Sequence, residues 1–168
     1  FVVLVSESVA NECQEARHVV FFVDLGDETH PMPVSTFQVP EADGGFCARG
    51  GRFGPHGTQW SMSAPFYKKL QVFSWFNAGM RVVDVRNPFE PTEVAFYIPA
   101  TTANTDMRCV TIEGVERCKT AIQTNNVEVD DRGLIYLVDR ANTGLHIVEL
   151  TGPAAALLTS EALPPNPR

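Results

Sequence analysis

The segment Gly50-Gly51-Arg52-Phe53-Gly54-Pro55-His56 contains the side chains best suited to chemistry. A histidine in a glycine-rich loop can ligate a metal ion or act as a general base. His56 is therefore a candidate metal ligand, and Arg52 is a candidate ligand-binding residue beside it. The alternative is a structural loop whose glycines and Arg52 only pack against neighbouring elements.

A second polar segment, Thr124-Asn125-Asn126, precedes another apolar run. The amides of Asn125 and Asn126 could bind a ligand or a chain of water molecules, or they could satisfy backbone groups at the start of a strand. The sequence contains no nucleophile elbow, phosphate-binding loop or dinucleotide fingerprint. We therefore assign no catalytic residue, and a metal ion at His56 is the one cofactor that the sequence suggests.

The four cysteines allow three disulfide pairings. The segment from Arg108 to Cys118 predicts a hairpin around a Glu113-Gly114 turn, which places Cys109 opposite Cys118. Opposed residues of this kind lie about 4.5 Å apart between Cα atoms, within reach of a disulfide. Cys109–Cys118 is therefore the first predicted pair, and Cys13–Cys47 is the pair that remains. The alternative is four reduced cysteines in a cytosolic protein.

Charge and composition narrow the possible partners and location. The 168 residues include 13 basic and 20 acidic side chains, a net charge of −7, which argues against a general nucleic-acid binder. No apolar stretch approaches the roughly 18 residues of a membrane span. Disulfides would place the chain in the periplasm or outside the cell, so we expect an extracytoplasmic protein.

Short runs rich in Val, Ile and Phe alternate with Gly, Pro, Asn and Asp, which predicts an all-β fold. The stretch Thr151 to Leu163 is the most helix-like, but the internal repeat favours a strand there. The predicted strands are Phe1–Ser8, Arg17–Leu25, Val34–Val39, Thr58–Ser63, Leu70–Phe76, Met80–Val85, Val94–Ile98, Gln123–Val129, Leu134–Val138 and Leu145–Leu150.

The repeat is centred on an acidic residue at the end of a strand. Val19–Leu25 and Met80–Val85 both end in apolar–Asp–apolar, and each is followed by a proline and another apolar strand. Leu145–Leu150 is a weaker copy with Glu149 in the acidic position. A carboxylate at this position can cap the turn that follows, so we expect Asp24, Asp84 and Glu149 to have a structural role.

A repeated four-stranded antiparallel meander predicts blades of a β-propeller. Residues 1–160 would hold blades at about 1–40, 56–100 and 121–160 with loop insertions, and 161–168 would form a C-terminal tail. The first blade lacks its innermost strand, which leaves about two and three-quarter blades, whereas a closed ring needs at least about four. We therefore expect another protein chain, either the remainder of the propeller or identical copies, to complete the ring.

The segment from Phe76 to Pro91 resembles the LVIVD-repeat family of extracytoplasmic β-propeller proteins. Val82-Val83-Asp84-Val85 and Phe22-Val23-Asp24-Leu25 match the core of that repeat, and Ile147-Val148-Glu149-Leu150 matches it with Glu for Asp. The resemblance extends over most of the chain and corresponds to the C-terminal portion of such proteins. It implies a propeller fold and an extracytoplasmic location, and it implies little about function.

Three functions are compatible with these patterns. The first is a non-enzymatic binding or scaffolding module that completes a ring or assembly with another chain. The second is a metal- or ligand-binding enzyme with a site at the mouth of the propeller channel near His56. The third is a structural component of a surface or filament, assembled by strand addition between chains.

Overall fold

A computed structural model describes residues 1–161 and shows an all-β protein with one short α-helix. Its strands form four small antiparallel sheets. The predicted C-terminal tail, 161–168, lies outside the described residues except for Glu161. The strands are β1 (Val2–Val5), β2 (Val20–Asp24), β3 (Met32–Phe37), β4 (Gly57–Thr58), β5 (Leu70–Ser74), β6 (Met80–Asp84), β7 (Thr92–Tyr97), β8 (Met107–Ile112), β9 (Val115–Thr120), β10 (Thr124–Val129), β11 (Leu134–Asp139) and β12 (Gly144–Glu149), and the helix is α1 (Gly152–Thr159).

Three of the sheets are meanders in which each strand pairs with the next one along the chain. Sheet I contains β1–β3, sheet II contains β4–β7 and sheet III contains β10–β12, whereas β8 and β9 form a separate hairpin. Sheet I has three strands, which is the number that the sequence predicted for the first blade. Among residues 1–161 the structure shows no closed barrel or ring.

Sheet II lies between the other two sheets and contributes to both hydrophobic cores. Phe73 and Trp75 pack against sheet I, in a core with Val20 and Phe22. Leu70 and Val72 face the opposite way and pack against sheet III. Because both faces of sheet II are covered, four of the five residues of β5 are buried, including the polar Ser74.

The strand expected over Thr151–Leu163 is wrong, because Gly152–Thr159 forms α1. Pro153 is compatible with the first turn of a helix, where its missing N–H leaves no hydrogen bond unmade. The alanines and leucines that follow favour a helix, and Ala154 packs into the core between sheets II and III. Local propensity therefore prevails over the repeat, and sheet III ends at its third strand.

The strand expected over Thr58–Ser63 is also too long, since β4 covers only Gly57–Thr58. Beyond that point the Gln59 backbone N–H donates to the Val72 carbonyl at 3.2 Å, and the Gln59 side chain makes two further bonds to β5. Its Oε1 accepts a hydrogen bond from the Val72 backbone N–H at 2.6 Å, and its Nε2 donates to the Leu70 carbonyl at 3.3 Å. The edge of β5 is satisfied in this way, and the chain from Trp60 onward leaves the sheet.

Both predicted disulfides are confirmed. Cys109 and Cys118 face each other across the β8–β9 hairpin with a Cα–Cα distance of 4.0 Å. Cys13 and Cys47 are joined with a Cα–Cα distance of 5.4 Å, which ties the β1–β2 connection to the segment before β4. Two disulfides fit an oxidising environment such as the cell exterior or periplasm. No helix within residues 1–161 is long and apolar enough to cross a membrane.

Candidate functional site

The three sheets place several loops at one common end, which we call the loop end. In an antiparallel meander, the connection from the second to the third strand lies at the same end as the start of the first strand. The backbone confirms this, because the N–H of Thr124 at the start of β10 donates to the carbonyl of Phe76 after β5. Likewise the N–H of Asn77 donates to the carbonyl of Arg52, in the segment before β4.

Three of the four predicted ligand-binding residues come together at the loop end, around the ring of Phe76. The Arg52 guanidinium carbon lies 5.4 Å from the centre of this ring, and the His56 ring contacts it edge-on at 5.3 Å. The Nδ1 of His56 donates a hydrogen bond to the backbone carbonyl of Asn125. Residues from sheets II and III therefore form one site, although they are far apart in the sequence.

A β-bulge explains the position of Asn125. In the pairing of β10 with β11, Thr124 lies opposite Asp139 and Asn126 lies opposite Val138, so Asn125 is the extra residue. A bulge re-aims the groups of the residue that it adds. The Asn125 carbonyl consequently accepts hydrogen bonds from sheet II, and its side-chain Oδ1 is buried without a hydrogen-bond partner in the described structure.

Asn126 lies outside the centre of the site. Its side chain is exposed and accepts a hydrogen bond from the amide of Asn125. It thus contacts the site only through its neighbour. A direct ligand-binding role for Asn126 has no further support in this arrangement and stays a prediction.

The glycines of the predicted site have a packing role. Gly51 has φ = +69°, and a Cβ atom on it would lie 2.4 Å from Nε2 of Gln123. Gln123 is buried and accepts a hydrogen bond from the Arg52 backbone N–H through Oε1. The glycine therefore lets the two loops approach and holds Arg52 in place, so the structural interpretation of the loop and the functional one are compatible.

Two further residues of the site escaped the sequence argument. Glu7, from the β1–β2 connection, accepts a hydrogen bond from Nη1 of Arg52 at 3.1 Å, and its carboxylate is 3.8 Å from Nε2 of His56. Arg140, in the β11–β12 turn, has its guanidinium carbon 4.9 Å from the centre of the Phe76 ring. A signal for Arg140 existed, because its turn occupies the same place in the repeat as the turn after Phe76.

The surroundings of His56 suit an anion better than a metal cation. Its Nδ1 is used by the Asn125 carbonyl, and the guanidinium groups of Arg52 and Arg140 outnumber the single carboxylate of Glu7, so a cation would meet net positive charge. In residues 1–161, one group of three potential metal ligands occurs, and it does not include His56. That group is Cys109, Glu116 and Cys118, whose two sulfurs form a disulfide and so offer no thiolate. A metal at His56 stays a prediction.

The repeated aspartates cap turns in the described structure. Asp24 Oδ1 accepts the Gly26 N–H at 2.8 Å, and Asp84 Oδ1 accepts the Arg86 N–H at 3.0 Å. Burial alone would raise the pKa of Asp84, but the hydrogen bonds and charge of Arg86 lower it overall. These carboxylates lie at the end of the sheets opposite the loop end and take no part in the site.

No protein-family model matches the chain, and no curated protein is significantly similar to it. A function therefore has to be argued from the structure. The likeness to LVIVD repeats therefore stays a prediction. The site around Phe76 and the exposed faces of the outer sheets are the two features from which a function can be argued.

Proposed function

We propose that the chain is a section of an extracytoplasmic β-propeller and serves as a binding or scaffolding module completed by another protein chain. The supporting observation is the stacking of three meander sheets. Sheet II is covered on both faces, whereas sheets I and III are each covered on one face only. A stack of this kind is what consecutive propeller blades form, and it continues by adding a blade at either end.

The uncovered face of sheet I is apolar. Leu4 of β1 lies opposite Phe21 of β2, and both side chains are exposed on the side away from sheet II. The neighbours of Phe21 in sequence, Val20 and Phe22, point the other way and are buried in the core. A soluble protein seldom leaves such a face in contact with water unless a partner covers it.

On the uncovered face of sheet III, β11 and β12 expose apolar side chains, whereas β10 contributes Asn126 and Glu128. Val138 of β11 lies opposite Leu145 of β12, and Ile147 continues the row along β12. The inner residues Ile135 and Leu137 are completely buried against sheet II. The two apolar outer faces, at opposite ends of the stack, suit the attachment of further blades.

Strand edges support the same proposal. β1 and β12 each have one hydrogen-bonded neighbour in the described structure, so each presents an edge with unpaired backbone groups. An innermost strand added to β1 would give sheet I the four-strand arrangement of sheet II. The partner therefore has to supply strands as well as an apolar surface.

Native mass spectrometry of the unreduced chain tests this proposal. We expect assemblies heavier than the 18.5 kDa chain, and we expect Leu145→Lys to shift them toward the single chain. Met107→Lys is the matched control, because both side chains are 60% exposed but Met107 lies on the β8–β9 hairpin. Each new lysine is solvated in the free chain, so the substitutions should leave its fold intact.

Two outcomes would overturn the proposal. One is a folded chain that remains at 18.5 kDa at all concentrations. The other is an assembly that Leu145→Lys and Met107→Lys disrupt equally. The stoichiometry also distinguishes the architectures, because a ring gives one closed mass, whereas a filament gives an open series of masses.

A further inference from the structure

Three arginines, Arg52, Arg108 and Arg140, lie near one another at the loop end, in a chain whose net charge is −7. Burial, together with the nearby positive charges of Arg52 and Arg108, lowers the pKa of Arg140. Glu7 and Asp139 oppose this effect without cancelling it. Guanidinium groups that repel one another in this way are stabilised by any anion that binds between them.

Two of the nearby carboxylates do not pair with Arg52 or Arg140. Asp106 pairs with Arg108 at 3.4 Å. Asp139 is buried, and its two oxygens accept the backbone N–H groups of Gln123 and Ala141 at 2.6 and 2.7 Å. The guanidinium of Arg140, within the described structure, makes neither a hydrogen bond nor an ion pair, and it rests on the Phe76 ring alone.

Glu7 is the carboxylate that faces the site. It is partly exposed, lies on the connection after β1, and contacts both Arg52 and His56. Its charge also acts on Arg140. The Glu7 carboxylate therefore lies against Arg52 and His56, where the carboxylate of a bound ligand would also lie.

The floor of the site is buried and strained at Phe76. Phe76 is completely buried and has φ = +27°, an unusual value for a large side chain. Its backbone carbonyl is fixed by the Thr124 N–H at 3.0 Å. Strained backbone conformations persist where the surrounding structure holds them, and they cluster at functional sites. The strain supports a site that is already formed before a ligand binds.

We propose that Arg52 and Arg140, whose guanidinium groups cover the ring of Phe76, bind a small oxyanion, a carboxylate or phosphate group, and that Glu7 occupies this position in the free chain. The planar guanidinium suits both groups, because its paired N–H donors match two oxygens of a carboxylate or phosphate. His56 forms the side wall through its contact with Phe76. This site lies within one chain, so it does not depend on the proposed assembly.

Calorimetric titration with inorganic phosphate and, separately, with citrate tests the proposal, with sodium chloride used to keep the ionic strength constant. We expect saturable binding of at least one of the two anions, and the one preferred identifies phosphate or carboxylate as the recognised group. Arg140→Gln should weaken binding about tenfold or more, the usual loss for a charged hydrogen-bond donor. Glu7→Gln should tighten binding, because it removes the internal competitor.

Matched variants control for net charge. Arg132→Gln removes an exposed arginine that is paired with Asp130, and it should bind like the wild type. Glu28→Gln removes an exposed carboxylate in the β2–β3 connection and controls for Glu7→Gln. Arg140→Lys keeps the charge but loses the paired donors, so its affinity should fall between those of the wild type and Arg140→Gln.

Several results would overturn the inference. Failure of both anions to bind saturably excludes the site. Equal losses of affinity in Arg140→Gln and Arg132→Gln would show that binding depends only on the net charge of the chain. If Glu7→Gln binds no more tightly than Glu28→Gln, Glu7 does not occupy the site. Thermal unfolding without anion checks that each variant folds, and Glu7→Gln in an exposed connection provides a test even if an arginine variant is unstable.

Discussion

At the scale of single residues, Gly79 in the turn between β5 and β6 has the least room for a side chain among the glycines that the structure describes. It has φ = +78°, and a Cβ atom on it would lie 2.2 Å from the carbonyl oxygen of Tyr97. Gly114, in the β8–β9 turn, has nearly the same φ of +79° but open space around it. The two glycines therefore separate the effect of backbone conformation from the effect of close packing.

We expect Gly114→Ala to cost about 1–2 kcal/mol, the penalty for a side chain in the left-handed region. Gly79→Ala should cost a further ~1–3 kcal/mol, because the backbone of β7 has to move to make room for the methyl group. Chemical denaturation of both variants measures the difference. Equal free energies of unfolding would show that the contact with Tyr97 relaxes without cost.

At the scale of elements, the two disulfides constrain chain segments of different length. Cys13–Cys47 closes a separation of 34 residues, whereas Cys109–Cys118 closes one of 9 residues within a single hairpin. On loop entropy alone, the first stabilises the fold by about 4 kcal/mol and the second by about 2.5 kcal/mol. The longer closure also joins two segments of the loop end that no sheet connects.

Replacing each cysteine pair by alanines should reproduce this order. We expect the Cys13→Ala/Cys47→Ala variant to lose more stability than the Cys109→Ala/Cys118→Ala variant, as measured by chemical denaturation without reductant. The hairpin variant serves as the control, since it also loses one disulfide. A reversed order would show that hairpin geometry, rather than loop length, decides the contribution of these disulfides.

At the scale of the whole molecule, neighbouring phenylalanines of β2 have opposite environments. Phe22 is 1% exposed in the core between sheets I and II, whereas Phe21 is 37% exposed on the outer face of sheet I. If further blades cover that face, Phe21 contributes mainly to association, and Phe22 contributes mainly to the stability of the chain itself.

We expect Phe22→Ala to destabilise the isolated chain by about 3–5 kcal/mol through loss of buried contacts and the cavity it leaves. Phe21→Ala should cost about 1 kcal/mol or less, as exposed substitutions usually do, but should weaken the assembly seen by native mass spectrometry. Denaturation at a dilution where the chain is single provides the first comparison. An outer-face variant that is as destabilised as Phe22→Ala and associates normally would contradict the proposal.

Features that depend on neighbouring residues could be predicted from the sequence. The Cys109–Cys118 pair follows from the register of one two-residue hairpin, and β5 and β6 of sheet II follow from short apolar runs between turn residues. The meander order of the three sheets is local in the same sense, because each strand pairs with the next one. The capping by Asp24 and Asp84 also involves a backbone group only two residues away.

Features that depend on distant residues were decided only by the tertiary structure. The Gln59 side chain ends β4 by bonding to β5. Local propensity favours the helix α1, but its position depends on packing, because Ala154 lies in the core between sheets II and III. The site around Phe76 joins loops from all three sheets, and periodicity carries no information about which side chains meet there. Arg52 and His56 could be named from the sequence, and the repeat carried a signal for the Arg140 turn. Glu7 could not be named, because only packing brings it to these residues.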